Sequence, residues 1–322
     1  MESLTLKDLA VKEDVLTSGH RMCAGCTSAS AIRMAMKALR GPTIVTVSTG
    51  CLEVATTILP YTAWRVPWLH SAFENAAATA SGIEAAFKAL KKRGKAKYEH
   101  VDVIAIGGDG GTYDIGFQAL SGALERGHDF LYILYDNEAY MNTGIQRSGG
   151  TPYCASTTTS PAGSVIPGKP EWKKPIDHIV VEHRAKYVAT ASPAYPLDLI
   201  RKVRKGLEAE GPAFVHILAP CPRGWRFPTE QGIHLARLSV QTCVFPLWEA
   251  WWEEDRPVYK LSRPSETIAR RPETKKPVEE YLKPQGRFAH LFRPERREDL
   301  LRRIQEGVDR DWAILLKKAG LS

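Results

Sequence analysis

Residues 101–111 read Val-Asp-Val-Ile-Ala-Ile-Gly-Gly-Asp-Gly-Gly. Its first part, 101–106, is a mainly apolar run rich in β-branched residues. Such a run is typical of a strand that is buried on both faces. The glycine-rich turn that follows contains one acid, Asp109, and a helical pattern runs from Ile115 to Leu124. A strand, a glycine turn and a helix in this order form the repeating unit of an α/β protein with a parallel sheet.

Further apolar runs extend this pattern, and helical patterns separate them. Each of these runs ends shortly before a residue that can bind a ligand. Because the carboxyl ends of parallel strands meet at one edge of the sheet, these residues are expected to lie together with Asp109. The sequence therefore predicts an α/β fold, a mostly parallel sheet with helices on both faces. The runs are 44–49 before Cys51, 130–135 before Asn137, and 213–218 before Cys221.

The composition narrows the class of protein. Of 322 residues, 43% are hydrophobic and 25% are charged, which is typical of a soluble globular protein. The sequence contains no run of about 18 apolar residues, so no membrane span is predicted. The first residues lack the features of a secretory signal. Six cysteines are too few for a secreted disulfide scaffold, so a cytoplasmic location is expected. The net charge is +8, but bases and acids are mixed, so no nucleic-acid partner is expected.

Changes in composition suggest three parts of the chain. Residues 1–18 are interpreted as an N-terminal extension and 19–248 as the ligand-binding domain, with a Gly-, Ser-, Thr- and Pro-rich binding loop over 142–175. Residues 251–322 contain 30 charged residues out of 72 and six prolines. We therefore predict that 249–322 form a charged, extended C-terminal arm for subunit contacts, with a short helix over 309–316.

Four cysteines have the spacing of a metal centre. Cys23 and Cys26 form a C-x-x-C pair, Cys51 follows after 24 intervening residues, and Cys221 ends a predicted strand. Four thiolates can hold a [4Fe–4S] cluster or a tetrahedral zinc ion, and the spacing alone does not choose between them. A thioredoxin-type redox pair is less favoured, because no thioredoxin-like unit surrounds the motif. The remaining cysteines, 154 and 243, have no ligand-spaced neighbour and are expected to be buried.

A second constellation consists of oxygen ligands. Gly108, Asp109 and Gly110 close one strand, and Asn137 closes the next strand after 27 intervening residues. A diphosphate bound through a divalent metal needs hard oxygen ligands, and glycines allow the backbone to approach the phosphates. An aspartate that only shapes a glycine turn is the simpler alternative. The complete arrangement is that of the thiamine diphosphate signature.

Five segments carry a resemblance to a known family, in order, over residues 19–248. The chain resembles the β subunits of the 2-oxoacid:ferredoxin oxidoreductases, and within them the pyruvate:ferredoxin oxidoreductase (pyruvate synthase) branch. The segments are GHRMCAGC at 19–26, TGCLEV at 49–54, GGDGGTYDIG at 107–116, YDNEAYMNTGIQ at 135–146 and APCPRGW at 219–225.

The resemblance implies specific roles for the site residues. The four cysteines would carry a [4Fe–4S] cluster close to thiamine diphosphate. Magnesium would bind the side chains of Asp109 and Asn137 and the carbonyl of Ala139, and Asn142 would lie beside the reacting centre. The chain departs from many relatives at Thr27-Ser28, next to the cluster. The predicted cofactor-binding residues are Gly108, Asp109, Gly110, Gly111, Asn137, Ala139 and Cys51.

The resemblance also implies an activity and partners. The activity would be reversible oxidative decarboxylation of a 2-oxoacid, foremost pyruvate to acetyl-CoA and CO2, with electrons passed to ferredoxin. The partners would be an α subunit with the aminopyrimidine-binding half-site, a γ subunit and a ferredoxin-like δ subunit, or fusions of these, and coenzyme A would accept the acyl group. Oxalate, aromatic or branched-chain 2-oxoacids stay open as substrates. A non-oxidative thiamine diphosphate lyase and a zinc-stabilised assembly subunit without a cofactor also stay open.

Overall fold

A computed structural model of the protein describes residues 5–321. Its centre is one eight-stranded sheet in the order β2-β1-β3-β4-β6-β5-β7-β8. Neighbouring strands are parallel from β2 through to β5, whereas β7 and β8 pair antiparallel at one edge. The predicted α/β class with a mostly parallel sheet is therefore confirmed. The strands are β1 Thr43–Ser48, β2 Trp68–Ser71, β3 Asp102–Gly108, β4 Leu131–Asp136, β5 Tyr187–Ala191, β6 Ala213–Leu218, β7 Trp248–Glu253 and β8 Arg256–Leu261.

Helices cover both faces of the sheet. Alternate residues of each central strand point to opposite faces, so Ile104 and Ile106 pack with α2 and α7, while Val103 and Ala105 pack with α4 and α5. No described helix combines the length and the apolar character that are needed to cross a membrane. The α-helices are α1 Leu6–Val11, α2 Thr27–Met36, α3 Cys51–Thr56, α4 Ala76–Lys92, α5 Phe117–Glu125, α6 Ile176–Glu182, α7 Pro196–Glu208, α8 Pro222–Trp225, α9 Gly232–Gln241, α10 Arg263–Arg270, α11 Val278–Leu282 and α12 Glu298–Lys318.

The sheet order places the predicted ligands side by side. β1, β3, β4 and β6 are consecutive neighbours, and each runs in the same direction. Cys51, Asp109, Asn137 and Cys221 each follow one of these strands within three residues. All four residues therefore lie at the same edge of the sheet, as the sequence predicts.

The C-terminal segment differs from the prediction of an extended arm. β7 and β8 extend the main sheet beyond β5. Helix α12 has 21 residues instead of a short terminal turn, and it buries Leu301, Ile304 and Leu315. The reason is that the apolar residues recur at helical spacing and face the core, while the many charges occupy the outer faces. A role of this segment in subunit contacts stays a prediction.

Residues 5–18 are also part of the compact fold. Helix α1 buries Leu9 in the core cluster beneath α2, and Leu16 forms an antiparallel bridge with Trp64. The N-terminal extension thus covers one face of the sheet as far as it is described. By contrast, residues 142–175 contain no helix or strand of more than an isolated bridge, which agrees with the predicted loop.

Candidate active site

One small cavity lies at the carboxyl ends of β1, β3 and β4. All residues that the sequence analysis assigned to the thiamine diphosphate site line this cavity: Gly108, Asp109, Gly110, Gly111, Asn137, Ala139, Asn142 and Cys51. The sequence analysis missed other lining residues, namely Thr49, Gly50, Phe73, Tyr135, Tyr140, Met141 and Thr143. Most of the missed residues adjoin a predicted one in sequence.

Asp109 is a buried carboxylate with few partners. Its side chain is 1% exposed, and the hydroxyl of Ser148 donates a hydrogen bond to Oδ2. Burial raises the pKa of Asp109 well above its ordinary value, and the nearby carboxylate of Asp136 raises it further. An isolated buried carboxylate is costly unless it is paired or coordinates a metal. The environment of Asp109 therefore suits a bound cation.

The amide group of Asn137 faces two oxygen atoms. One amide atom lies 2.9 Å from the carbonyl oxygen of Ala139 and 2.9 Å from Oδ1 of Asp109. As a nitrogen, this atom donates two hydrogen bonds; as an oxygen, it forms a cluster of three oxygens that only a cation stabilises. Adjacent ligands of an octahedral Mg²⁺ at 2.0–2.1 Å are about 2.9 Å apart. The two distances from the Asn137 amide atom, to Ala139 and to Asp109, therefore match the spacing of neighbouring magnesium ligands.

A buried ionic network supports the end of β4. Burial alone would raise the pKa of Asp136, but Lys173, at 2.6 Å, and His216, at 2.8 Å, hold it well below the ordinary value. Asp177 binds the other nitrogen of His216 at 2.8 Å. Because Asp136 immediately precedes Asn137, this network fixes the backbone from which the metal-facing amide projects. None of these partners was predicted from the sequence.

Three of the four predicted cluster cysteines lie at helix N-termini. Cys26 is the N-cap residue of α2, Cys51 is the first residue of α3, and Cys221 is the N-cap residue of the single turn α8. The Gly224 amide donates to Sγ of Cys221 at 3.4 Å, whereas the Cys26 side chain forms no capping hydrogen bond. Free N–H groups and the helix dipole favour negative charge at these positions. The backbone is therefore arranged to accommodate thiolates.

The cysteines share one neighbourhood. Burial, together with the proximity of Cys221 and Cys26, raises the pKa of Cys51 to about 12. Burial also raises the pKa values of Cys26 and Cys221, and both of these groups also interact with Cys23. Thiols crowded in this way stay protonated until a metal centre replaces the protons.

The sulfur atoms are not arranged for a single ion. Among residues 5–321, no three His, Cys, Asp or Glu side chains come close enough to hold one metal ion. Tetrahedral zinc with Zn–S bonds of 2.3 Å requires sulfurs about 3.8 Å apart. A cluster of four irons is larger and holds its thiolates farther apart.

The loops that carry the cysteines are fastened to each other. The Thr27 hydroxyl donates to the carbonyl of Pro220 at 2.7 Å, which joins the C-x-x-C turn to the loop of Cys221. Ser28 is buried in the first turn of α2, two residues after Cys26. Gly25 has a φ of +71°, and a Cβ there would lie 2.2 Å from the carbonyl oxygen of Thr229, so only glycine fits. The two residues that depart from the family pattern thus lie beside the predicted cluster loops.

Asn142 links the cavity to the cysteines. It is exposed and lines the same cavity as Cys51. A position of Asn142 beside the reacting centre stays a prediction. Cys154 and Cys243 are buried, at 0% and 4% exposure, in apolar clusters.

Comparisons with known proteins agree with this geometry. A family model described as thiamine pyrophosphate enzyme, C-terminal TPP binding domain, matches residues 48–217. The chain is 54% identical to pyruvate synthase subunit PorB of Methanocaldococcus jannaschii, over 94% of this chain and 97% of that protein. It is 49% identical to PorB of Thermotoga maritima, over 95% and 92% of the two chains.

Two further similarities widen the comparison. Ketoisovalerate oxidoreductase subunit VorB of Pyrococcus abyssi is 45% identical, over 95% of this chain and 94% of that protein. A solved structure of 2-oxoglutarate:ferredoxin oxidoreductase from Magnetococcus marinus has a TM-score of 0.53 at 23% identity, covering 74% of this chain and 81% of that chain, and it supports the fold. The predicted resemblance is therefore confirmed, and the chain belongs to the thiamine diphosphate-dependent 2-oxoacid:ferredoxin oxidoreductase family, as a relative of the PorB subunits.

Proposed function

We propose that this chain is the thiamine diphosphate- and cluster-binding subunit of a pyruvate synthase. The reaction is the reversible oxidative decarboxylation of pyruvate to acetyl-CoA and CO2, with electrons delivered to ferredoxin. The observation that carries the proposal is the meeting of the Asp109, Asn137 and Ala139 oxygens in a cavity that also contains Cys51. The proposed diphosphate site and the proposed cysteine site are therefore neighbours, because Cys51 lines the same cavity as Asp109 and Asn137.

Magnesium is held by Asp109, Asn137 and the carbonyl of Ala139. The buried carboxylate would supply charge, and the amide and carbonyl oxygens would be neutral ligands. Gly108, Gly110 and Gly111 line the cavity, and a Cβ on Gly110 would lie 2.2 Å from the Tyr140 ring, so glycine is needed for this close packing. When bound, thiamine diphosphate supplies a carbanion that adds to the keto carbon of the 2-oxoacid.

Cys23, Cys26, Cys51 and Cys221 hold one [4Fe–4S] cluster. The crowding of the four thiols and the helix N-termini behind three of them support a polynuclear centre. The choice of a cluster over zinc rests on the family resemblance. Asn142 lines the cavity together with Cys51 and would lie between the cofactor and the cluster.

Pyruvate is favoured as substrate by the PorB relatives, which reach 54% identity. The VorB relative at 45% identity makes a branched-chain 2-oxoacid the second candidate. Coenzyme A as acyl acceptor, an α subunit with the aminopyrimidine half-site, a γ subunit and a ferredoxin-like δ subunit complete the proposal. The residues of this chain would position the iron and the magnesium.

The test is a substrate panel on the whole complex, purified without oxygen. Reduction of ferredoxin is measured with pyruvate, 2-oxoisovalerate, 2-oxoglutarate, an aromatic 2-oxoacid and oxalate, with and without coenzyme A. We expect the highest kcat/KM with pyruvate and dependence on thiamine diphosphate. A higher kcat/KM with 2-oxoisovalerate would assign the second candidate. Turnover without electron transfer would indicate a non-oxidative lyase.

A further inference from the structure

Arg287 is a buried cation that contacts two functional loops. It lies in the 3-10 helix Gly286–Leu291 of the C-terminal segment and is 2% exposed. Its Nη2 is 2.6 Å from Oε2 of Glu138, and its Cζ lies 3.8 Å from the ring centre of Trp225. Glu138 belongs to the metal-facing turn, whereas Trp225 ends the helical turn that begins after Cys221.

The first contact concerns the metal-facing turn. Glu138 stands between Asn137 and Ala139, with a φ of +67° that is uncommon for a residue with a side chain. Its carboxylate is held by Arg287 on one oxygen and by Lys173, at 2.9 Å, on the other. These two cations hold the turn in which the Asn137 amide lies 2.9 Å from both Asp109 and the Ala139 carbonyl.

The second contact concerns the loop of Cys221. Trp225 is fully buried, and its indole N–H donates to the backbone carbonyl of Asn137 at 2.7 Å. Its own backbone N–H donates to the carbonyl of Cys221 at 2.9 Å. Trp225 therefore connects a metal-facing residue directly to a predicted cluster ligand, and the guanidinium of Arg287 packs on its ring.

Gln285 and the backbone of Gly286 fix the orientation of the Arg287 guanidinium. Nε of Arg287 donates to Oε1 of Gln285 at 2.9 Å. The Gly286 amide donates to the Arg226 carbonyl at 3.1 Å, and a Cβ on Gly286 would lie 2.7 Å from Cβ of Arg226. The two backbones can approach this closely only because residue 286 is glycine.

We propose that Arg287 is a positioning residue that couples the magnesium–diphosphate turn to the cluster loop, and so fixes the separation between the two centres. The inference rests on the proposed function. Through Arg287, the C-terminal segment would support both the metal-facing turn and the loop of Cys221. Arg287 itself touches neither the substrate nor the cofactor.

The test compares Arg287→Gln with Arg296→Gln in the whole complex. Arg296 lies in the same segment and binds Glu279 at 2.6 Å, but it is exposed, and its partner belongs to α11 and not to the metal-facing turn. After removal of metal and thiamine diphosphate, both are titrated back and binding is measured directly. We expect Arg287→Gln to raise the half-saturating Mg²⁺ concentration about 10- to 100-fold and Arg296→Gln to leave it unchanged. The EPR spectrum of the reduced cluster should shift only in Arg287→Gln.

Two more variants separate positioning from general stability. Trp225→Phe removes the indole N–H but keeps an aromatic ring, and it should also raise the half-saturating Mg²⁺ concentration. Arg287→Lys keeps a positive charge beside Glu138. Its affinity for Mg²⁺ should therefore lie between that of the wild type and that of Arg287→Gln. A lower melting temperature of Arg287→Gln with unchanged Mg²⁺ binding and an unchanged EPR spectrum would overturn the inference. If that variant does not fold, unchanged Mg²⁺ binding by Trp225→Phe would overturn it. A wild-type complex that binds no thiamine diphosphate would overturn the proposed function itself.

Discussion

Asp109 should make magnesium binding depend on pH. Without a cation, burial and the neighbouring carboxylate of Asp136 raise its pKa, so the folded site holds a proton at pH values where a free aspartate does not. Magnesium must displace this proton. Below the raised pKa, the half-saturating Mg²⁺ concentration should therefore fall up to about tenfold for each unit of rising pH. Calorimetric titration with Mg²⁺ and thiamine diphosphate at several pH values measures this slope.

Asp109→Asn is the matched control for that experiment. The amide keeps the shape of the side chain but carries no proton to displace, so its magnesium binding should be weaker and should lose this pH dependence. Any ionisation of thiamine diphosphate affects both proteins equally. Identical slopes in the wild type and the variant would show that Asp109 does not control the binding.

The four clustered cysteines should each be needed for iron. Serine is a poorer ligand than a thiolate, so Cys23→Ser, Cys26→Ser, Cys51→Ser and Cys221→Ser should each lose iron and the associated visible absorbance. Cys154 and Cys243 are buried in apolar clusters, so Cys154→Ser and Cys243→Ser should retain both. Iron and sulfide are measured on protein purified without oxygen. Full iron content in all four clustered variants would disprove the assignment.

At the scale of the elements, helix α12 should contribute to the stability of the whole chain. Leu301 is buried at 5% exposure, so Leu301→Ala should lower the free energy of unfolding by about 2–5 kcal/mol. Ile314 lies on the same helix at 45% exposure, and Ile314→Ala should change it by no more than about 0.5 kcal/mol. Urea unfolding of the full chain measures both. Equal effects of the two variants would mean that α12 does not pack as described.

The sequence predicted β1, β3, β4 and β6, but it did not predict the interior strand β5 or the strands β2, β7 and β8. The runs that became β1, β3, β4 and β6 are continuously apolar because these strands are buried on both faces, and that pattern is local. β2 is short and partly exposed, while β7 and β8 lie at the other edge, so their sequences carry polar residues that obscure the pattern. The high charge of the C-terminal segment predicts an extended arm without a core. Its charged residues face outward, however, and its apolar residues are buried.

The candidate site shows the same limit. Asp109, Asn137 and the cysteines have chemistry and positions at strand ends that are visible in the sequence. Arg287 lies 149 positions from Glu138, and no local pattern marks a contact across that separation. Such supporting contacts exist only after the sheet has brought distant segments together.

At the scale of the molecule, we expect this chain to provide one half of a thiamine diphosphate site. Residues 5–321 form a single sheet, and the C-terminal segment extends that sheet instead of building a second α/β unit. The family resemblance implies that the aminopyrimidine half-site, with the glutamate that promotes carbanion formation, belongs to another subunit. The cavity at the carboxyl ends of β1, β3 and β4 is thus expected to be completed by a partner.

The isolated chain should therefore bind metal centres without turning over substrate. The chain is reconstituted with iron, sulfide, Mg²⁺ and thiamine diphosphate, and 2-oxoacid-dependent dye reduction is compared with that of the whole complex. Loss of a general acid–base group costs about 10²- to 10⁴-fold in rate, so activity of the isolated chain should be at least that much lower. Addition of the partner subunits should restore it. The iron content of the isolated chain is the control for reconstitution: a fully loaded chain that reduces dye at the rate of the complex would show that its half-site is sufficient.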